Sequence, residues 1–170
     1  PNMTSPTSLS TAKPLAEGFV IVAMHKSPFG GIHAGRNIED PGDFGAGAIR
    51  NILAPAFSEA GVDLVLAGHD HNYLRSFPMQ GLTPQRKKAG DFISSTKDGL
   101  IYLVPYTAGQ KAYPLVEASA KLRPWLNRRW QPANPPNSTA FTDILVTATS
   151  LQIRCQTVSG QVIDQFTVVH

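Results

Sequence analysis

The residues with the most chemistry to offer in this chain are its histidines: His25, His33, His69, His71 and His170. His69 and His71 stand two apart in Gly68-His69-Asp70-His71, and in extended backbone that spacing projects both rings to one face. Neutral imidazole is the commonest nitrogen ligand for zinc, iron and manganese. An H-x-H at a strand end therefore suits chelation, and it equally suits two hydrogen-bonded loop histidines. His25 closes a separate apolar run, so three imidazoles are expected to converge on one edge of a sheet. Three histidines around a single zinc with an open position are one arrangement that would serve hydrolysis. Asp70, between the pair, reads as a solvated or loop-capping carboxylate. His170 is the last residue and is set aside.

The elements that must position these residues follow from hydrophobic patterning. Residues 18–24 (GFVIVAM) and 62–67 (VDLVLA) are short apolar runs, each expected to be a fully buried strand. Residues 27–46 hold five glycines and two prolines and read as a long loop. Ile49, Leu53 and Phe57, with Ile52 alongside, recur as one helical face ending before Gly61; Pro55 predicts a kink or break. Residues 73–79 and 100–104 are further strands, and residues 80–98 a polar loop. Residues 107–139 hold five prolines and both tryptophans and leave room for one short helix near 118–122. Three strands close the chain at 141–148, 151–158 and 161–169, with a tight turn at Ser159-Gly160. Leu151, Ile153 and Cys155 alternate with polar residues. Val162, Phe166 and Val168 share a face, with Asp164 as its exception, so the pattern predicts an antiparallel meander with one wet face. The strand–helix–strand opening predicts a parallel pair that delivers His25 and Gly68 to the same edge, where sites gather in open α/β sheets.

Composition narrows the classes. At 170 residues, 42% hydrophobic and 16% charged, the chain fits one domain with a core of its own. One cysteine, Cys155, excludes an intrachain disulfide framework. No apolar run approaches the roughly 20 residues of a membrane helix, and no signal peptide is visible. Starting at Pro1 without Met, the chain reads as processed or excised from a longer one. The net charge of +3 is scattered; Arg86-Lys87-Lys88 and Arg128-Arg129 read as solvated loops rather than a nucleic-acid surface. Trp125 and Trp130 read as packing anchors.

Three blocks then become recognisable. An apolar strand ends in His25-Lys26-Ser27-Pro28-Phe29. Residues 62–76 read VDLVLAGHDHNYLRS. Gly99-Leu100-Ile101-Tyr102 is followed by Gly109-Gln110-Lys111-Ala112-Tyr113, and the final turn carries Gly160-Gln161-Val162-Ile163-Asp164. Over residues 18–169 the chain resembles calcineurin-like metallophosphoesterases, in particular the C-terminal half of the purple acid phosphatase catalytic domain.

The resemblance implies an α/β fold, the C-terminal half of a four-layer α/β/β/α sandwich ending in an antiparallel meander. Residues 1–17 would be a linker or loop and residues 18–170 the half-domain. It implies that His25 and His69 bind one metal of a dinuclear centre, iron with zinc, manganese or iron, and that His71 binds the other. Tyr73 and Arg75 would support the loop rather than touch substrate. His33, eight residues after His25 in a glycine-rich loop with Arg36, would match a histidine that in plant members of the family faces the substrate and is a candidate general acid, with an exposed loop histidine as the alternative. The implied activity is acid-phosphatase-type hydrolysis of phosphate monoesters. The implied partners are a phosphate-ester substrate and a missing N-terminal half or partner chain, with neither nucleic acid nor membrane, in a secreted or extracytoplasmic setting. The family's upstream D-x-H, G-D and G-N-H-[DE] blocks have no counterpart before His25; every aspartate, from Asp40 to Asp164, follows it. The isolated chain is therefore expected to be inactive. The alternative is a non-catalytic binding or structural domain without the upstream ligands.

Overall fold

The computed structural model describes residues 18–30, 46–88, 90–109, 111–113, 124–132 and 139–170. In chain order they form β1 (Ile21–Lys26), α1 (Ala46–Glu59), β2 (Leu64–Gly68), β3 (Tyr73–Ser76), β4 (Met79–Gln80), β5 (Thr83–Pro84), β6 (Phe92–Ser94), β7 (Ile101–Pro105), β8 (Leu126–Trp130), β9 (Ala140–Val146), β10 (Leu151–Thr157) and β11 (Val162–Val169). A five-stranded sheet runs β1-β2-β7-β3-β8, and a four-stranded sheet β6-β11-β10-β9; β4 and β5 make a small hairpin. Within the described residues no helix is long and apolar enough to cross a membrane.

The first three strands of the larger sheet are parallel, as the strand–helix–strand pattern predicts. β3 turns back and pairs antiparallel with both β7 and β8. One face of this sheet carries Val22, Met24, Val65 and Tyr102 and packs against Ala54 and Phe57 of α1. The other face, with Leu64, Ile101, Leu103 and Tyr73, packs on Ile93, Leu151, Ile153, Cys155, Phe166 and Val168 of the smaller sheet. The described residues are thus a helix layer, a mixed sheet and a second sheet. The second helical layer of the expected four-layer sandwich is not among the described residues, and residues 1–17, the loop 31–45 with His33, and the helix expected near 118–122 lie outside them.

Four expectations change. β1 is not buried: it pairs with β2 alone among the described residues, and Ile21, Ala23 and His25 are exposed on alternate positions. Ile21 is aligned with Leu64, so the uncovered side of β1 is the side that faces the second sheet elsewhere. α1 runs unbroken through Pro55. Pro55 and Asn51, whose carbonyl it leaves without a helical donor, are both exposed, so water meets the loss. Ile52 is 71% exposed and does not share the packed face. Residues 80–98 hold β4, β5 and β6, and the proline-rich stretch holds β8; strands of two to five residues, with Arg128 and Arg129 outward in β8, are too short or polar to show alternation.

The meander stands as expected, with Leu151, Ile153 and Cys155 buried between exposed Gln152 and Arg154. Val162 departs from the buried face, because a register shift after Cys155 lets the strand end bend outward. Asp164, the exception in the apolar pattern, is buried for a reason. It accepts a hydrogen bond from the Tyr73 hydroxyl at 2.8 Å, and its other oxygen accepts one from Arg75 Nη2 at 3.2 Å. Arg75 Nε lies 2.8 Å from the carboxylate, and its guanidinium sits 4.4 Å over the Phe166 ring. This network ties the two sheets together and places Tyr73 and Arg75 in the core. At the other end of β2, Asp63 accepts from the Val20 amide at 2.7 Å and from the Ser95 hydroxyl.

Candidate metal centre

The parallel pairing of β1 and β2 delivers both histidine segments to one sheet edge. β1 pairs with β2 residue by residue up to Met24 opposite Ala67, then resumes with Lys26 opposite Gly68. His25 is the extra residue of that bulge, a feature that re-aims a side chain at a strand end. Its Nε2 faces His69 Nδ1 at 3.2 Å, the two rings meeting edge to face at 5.0 Å. Two imidazole nitrogens bound to one tetrahedral zinc at roughly 2.0–2.1 Å stand about 3.3 Å apart. The separation is that of a hydrogen bond between the two imidazoles, and it is also the spacing of two ligands on one ion.

His71 is placed differently. The loop is not extended: His69 has φ 72° and His71 φ 51°, so strand alternation does not set their faces. The His71 ring lies against Tyr113 at 4.6 Å, and the Tyr113 amide donates to the His71 carbonyl at 3.3 Å. His71 Nδ1 is buried and has no hydrogen-bond partner among the described residues. A buried imidazole nitrogen without a partner is a donor atom awaiting a ligand, which fits a metal or an ordered water. Among the described residues no three His, Cys, Asp or Glu side chains come close enough to hold one ion. The structure thus brings His25 and His69 together and leaves His71 beside them on the aromatic ring of Tyr113. His33 lies outside the described residues.

Of the two readings of Asp70, solvated or loop-capping, burial removes the first. Asp70 is 1% exposed, with its carboxylate packed over Gly30.

The segment after His25 is held by an aromatic stack. Phe29 meets Tyr102 at 4.6 Å and Trp125 at 5.5 Å, both edge to face. Arg50 of α1 lies 4.3 Å over the Trp125 ring and reaches the Pro28 carbonyl at 3.5 Å. Trp125 and Trp130 are packing anchors, the latter against Tyr106 at 5.5 Å. Arg50 was invisible to sequence reasoning, because an arginine on an amphipathic helix reads as solvated. Burial, reinforced by the Asp164 charge, raises the Tyr73 pKa, and burial alone raises that of Tyr102. Both phenols stay protonated at neutral pH. Burial also pushes the Cys155 thiol up to about 11, so it is not a nucleophile.

No known family profile matches the chain, and no curated protein does. Among solved structures it is similar to a purple acid phosphatase isolated from yellow lupin (Lupinus luteus) seeds, with 22% identity and a TM-score of 0.64. The similarity covers 89% of this chain and 25% of that one, so the chain spans about a quarter of the neighbour's length. The likeness is one of fold alone.

Proposed function

We propose that the chain is the C-terminal part of a metal-dependent phosphoesterase of the purple acid phosphatase type, acting on phosphate monoesters. The observation that carries this reading is the facing pair of His25 and His69 at a two-ligand bite, on a fold like that of a purple acid phosphatase. In this reading His25 and His69 hold one ion and His71 offers its nitrogen to a second. Bound ions supply Lewis-acid stabilisation of charge on the phosphoryl group. The chain's own residues contribute position: the β1 bulge aims His25, and Phe29, Trp125 and Arg50 fix the segment behind it. His33 is proposed as the acid that protonates the departing alkoxide. Neutral imidazoles leave two cations uncompensated, so bridging carboxylates are needed. We place them in a complementary segment carrying the family's D-x-H, G-D and G-N-H-[DE] blocks, which would also cover the exposed side of β1. A secreted or extracytoplasmic setting belongs to the same reading.

The second reading, a binding or structural domain without catalysis, is favoured by one observation: among the described residues no third ligand joins the His25–His69 pair. Titrating the protein with Zn²⁺, Mn²⁺ and Fe³⁺ while assaying aryl phosphate hydrolysis separates the two. The phosphoesterase reading expects metal binding by this chain, with turnover appearing only when the complementary segment is supplied. No metal binding, or binding with no turnover after complementation, supports the second reading.

A further inference from the structure

His69 and His71 hold left-handed backbone, at φ 72° and 51°, on either side of Asp70. That conformation is unfavourable for histidine and persists where the surroundings over-determine it. Two observations identify what holds it here. The Asp70 amide donates to the Gly68 carbonyl at 2.9 Å, folding the loop back on the end of β2. The Asp70 carboxylate fills the space over Gly30: a Cβ built on Gly30 would overlap Oδ2 and stand 2.9 Å from the Ser27 Cβ. Gly30 in turn closes the turn that follows His25, its amide donating to the Ser27 carbonyl at 3.2 Å. Residues 27–30 are all buried. One buried side chain thus reaches from the His69–His71 loop into the turn directly after His25.

We propose that Asp70 is a positioning residue that clamps the Ser27–Gly30 turn to the His69–His71 loop and so sets the facing of His25 and His69. Gly30 is glycine because the clamp occupies the space of its side chain. The clamp is a property of the metal-free protein; only its consequence for metal affinity rests on the phosphoesterase reading.

The test is a double-substitution cycle read by thermal unfolding, with ring-to-ring Overhauser contacts and Zn²⁺ calorimetry beside it. Gly30→Ala is expected to lower the melting temperature by several degrees in the wild-type background and by clearly less in Asp70→Ala, where the colliding carboxylate is gone and only the 2.9 Å approach to the Ser27 Cβ remains. Asp70→Asn keeps the volume and keeps the full Gly30→Ala penalty. Asp70→Ser replaces Asp70→Ala should the latter not fold. In the metal-free protein the His25–His69 ring contact is expected to vanish in Asp70→Ala. Zn²⁺ affinity is expected to fall about 10-fold or more. Gly99→Ala, which collides with the Met79 backbone at the opposite end of the sheet, is expected to lower the melting temperature and leave Zn²⁺ affinity unchanged. Equal cost of Gly30→Ala in both backgrounds overturns the clamp. An intact ring contact in Asp70→Ala also overturns it. If the wild-type protein binds no Zn²⁺, the metal reading falls, and the cycle and the ring contact still decide the clamp.

Discussion

His25 Nε2 and His69 Nδ1 face each other at 3.2 Å across 44 residues of sequence. Neither backbone conformation behind that meeting is ordinary strand: one residue is the extra member of a bulge, and the other is left-handed. If the pair is a metal site, removing either ring halves the chelate. His25→Ala and His69→Ala are each expected to weaken Zn²⁺ binding by more than about 10-fold in calorimetric titration. His170→Ala should leave it unchanged, since His170 stacks on Phe19 and stands near Asp63 at the far end of β2.

The same geometry makes opposite predictions for stability at the two positions. Left-handed backbone costs a non-glycine residue roughly 1–2 kcal/mol. Glycine at His69 recovers that cost, offset by its own chain entropy of about 0.5–1 kcal/mol. His69→Gly is therefore expected to be neutral or stabilising by up to about 1 kcal/mol. His25→Gly, where φ is not positive and no strain is relieved, should destabilise by about 0.5–1 kcal/mol. Denaturant midpoints of the metal-free variants check the sign. A loss at His69 equal to that at His25 would mean that the loop stores no strain.

What was legible in the sequence was whatever repeats over enough residues to show a pattern. β2 and β7 are buried on both faces and read as unbroken apolar runs; β10 alternates over seven residues and reads as half-wet. β6 has three residues and β8 two arginines, and neither length nor polarity gave them away. The edge position of β1 could not be read either, since an apolar run looks the same whether or not its outer side is covered. At the site, placing His25 and His69 on one edge followed from strand order. The two-residue spacing of His69 and His71 misled, because it presumes extended backbone and both residues are left-handed. Asp70 and Arg50 are polar residues whose burial depends on partners far along the chain, Gly30 for one and Trp125 for the other, and no local pattern announces such a pairing.

Alkaline pH should erode stability from one identifiable group first. Burial raises the Cys155 thiol from 9.0 to about 11, so the unfolded chain loses that proton before the folded one does. The contribution is fully present below about pH 9 and is lost as pH climbs toward 11. Tyr73, Tyr102 and Tyr106, raised as well, add to the decline as pH approaches the ordinary phenol value near 10 and passes it. Melting temperatures of the wild type should fall between pH 9 and 10, and those of Cys155→Ala should fall less over that interval, the remainder coming from the tyrosines. A parallel fall in the variant would assign the first loss to another group.

The general-acid proposal for His33 has its own kinetic signature. A poor leaving group needs a proton as the P–O bond breaks, and an activated aryl group does not. In the complemented enzyme, His33→Ala is expected to lower turnover of alkyl phosphates by about 100-fold or more and that of an activated aryl phosphate far less. Equal losses with both substrates would remove His33 from that role.

Arg75 and Asp164 offer the sharpest test of how the two sheets are joined. Both are buried and lie on facing strands, β3 and β11. Each has partners of its own: Tyr73 donates to Asp164, and Arg75 rests on Phe166 and reaches Asp91 at 3.4 Å. A buried pair is a poor source of net stability, because both charges are desolvated, but breaking it on one side strands the other. Asp164→Ala leaves the buried Arg75 guanidinium with only the exposed Asp91 as a carboxylate partner and is expected to cost about 3–5 kcal/mol. Tyr73→Phe removes one neutral donor from a carboxylate that keeps its arginine, and should cost about 1–2 kcal/mol. Arg75→Met with Asp164→Leu removes both charges and restores apolar volume, so the double variant should recover most of the loss seen in Asp164→Ala. Urea unfolding of the three variants gives the ordering directly. An Asp164→Ala protein as stable as Tyr73→Phe would mean that water reaches Arg75 and that the sheets are held by Ile93, Leu151, Ile153 and Phe166 alone.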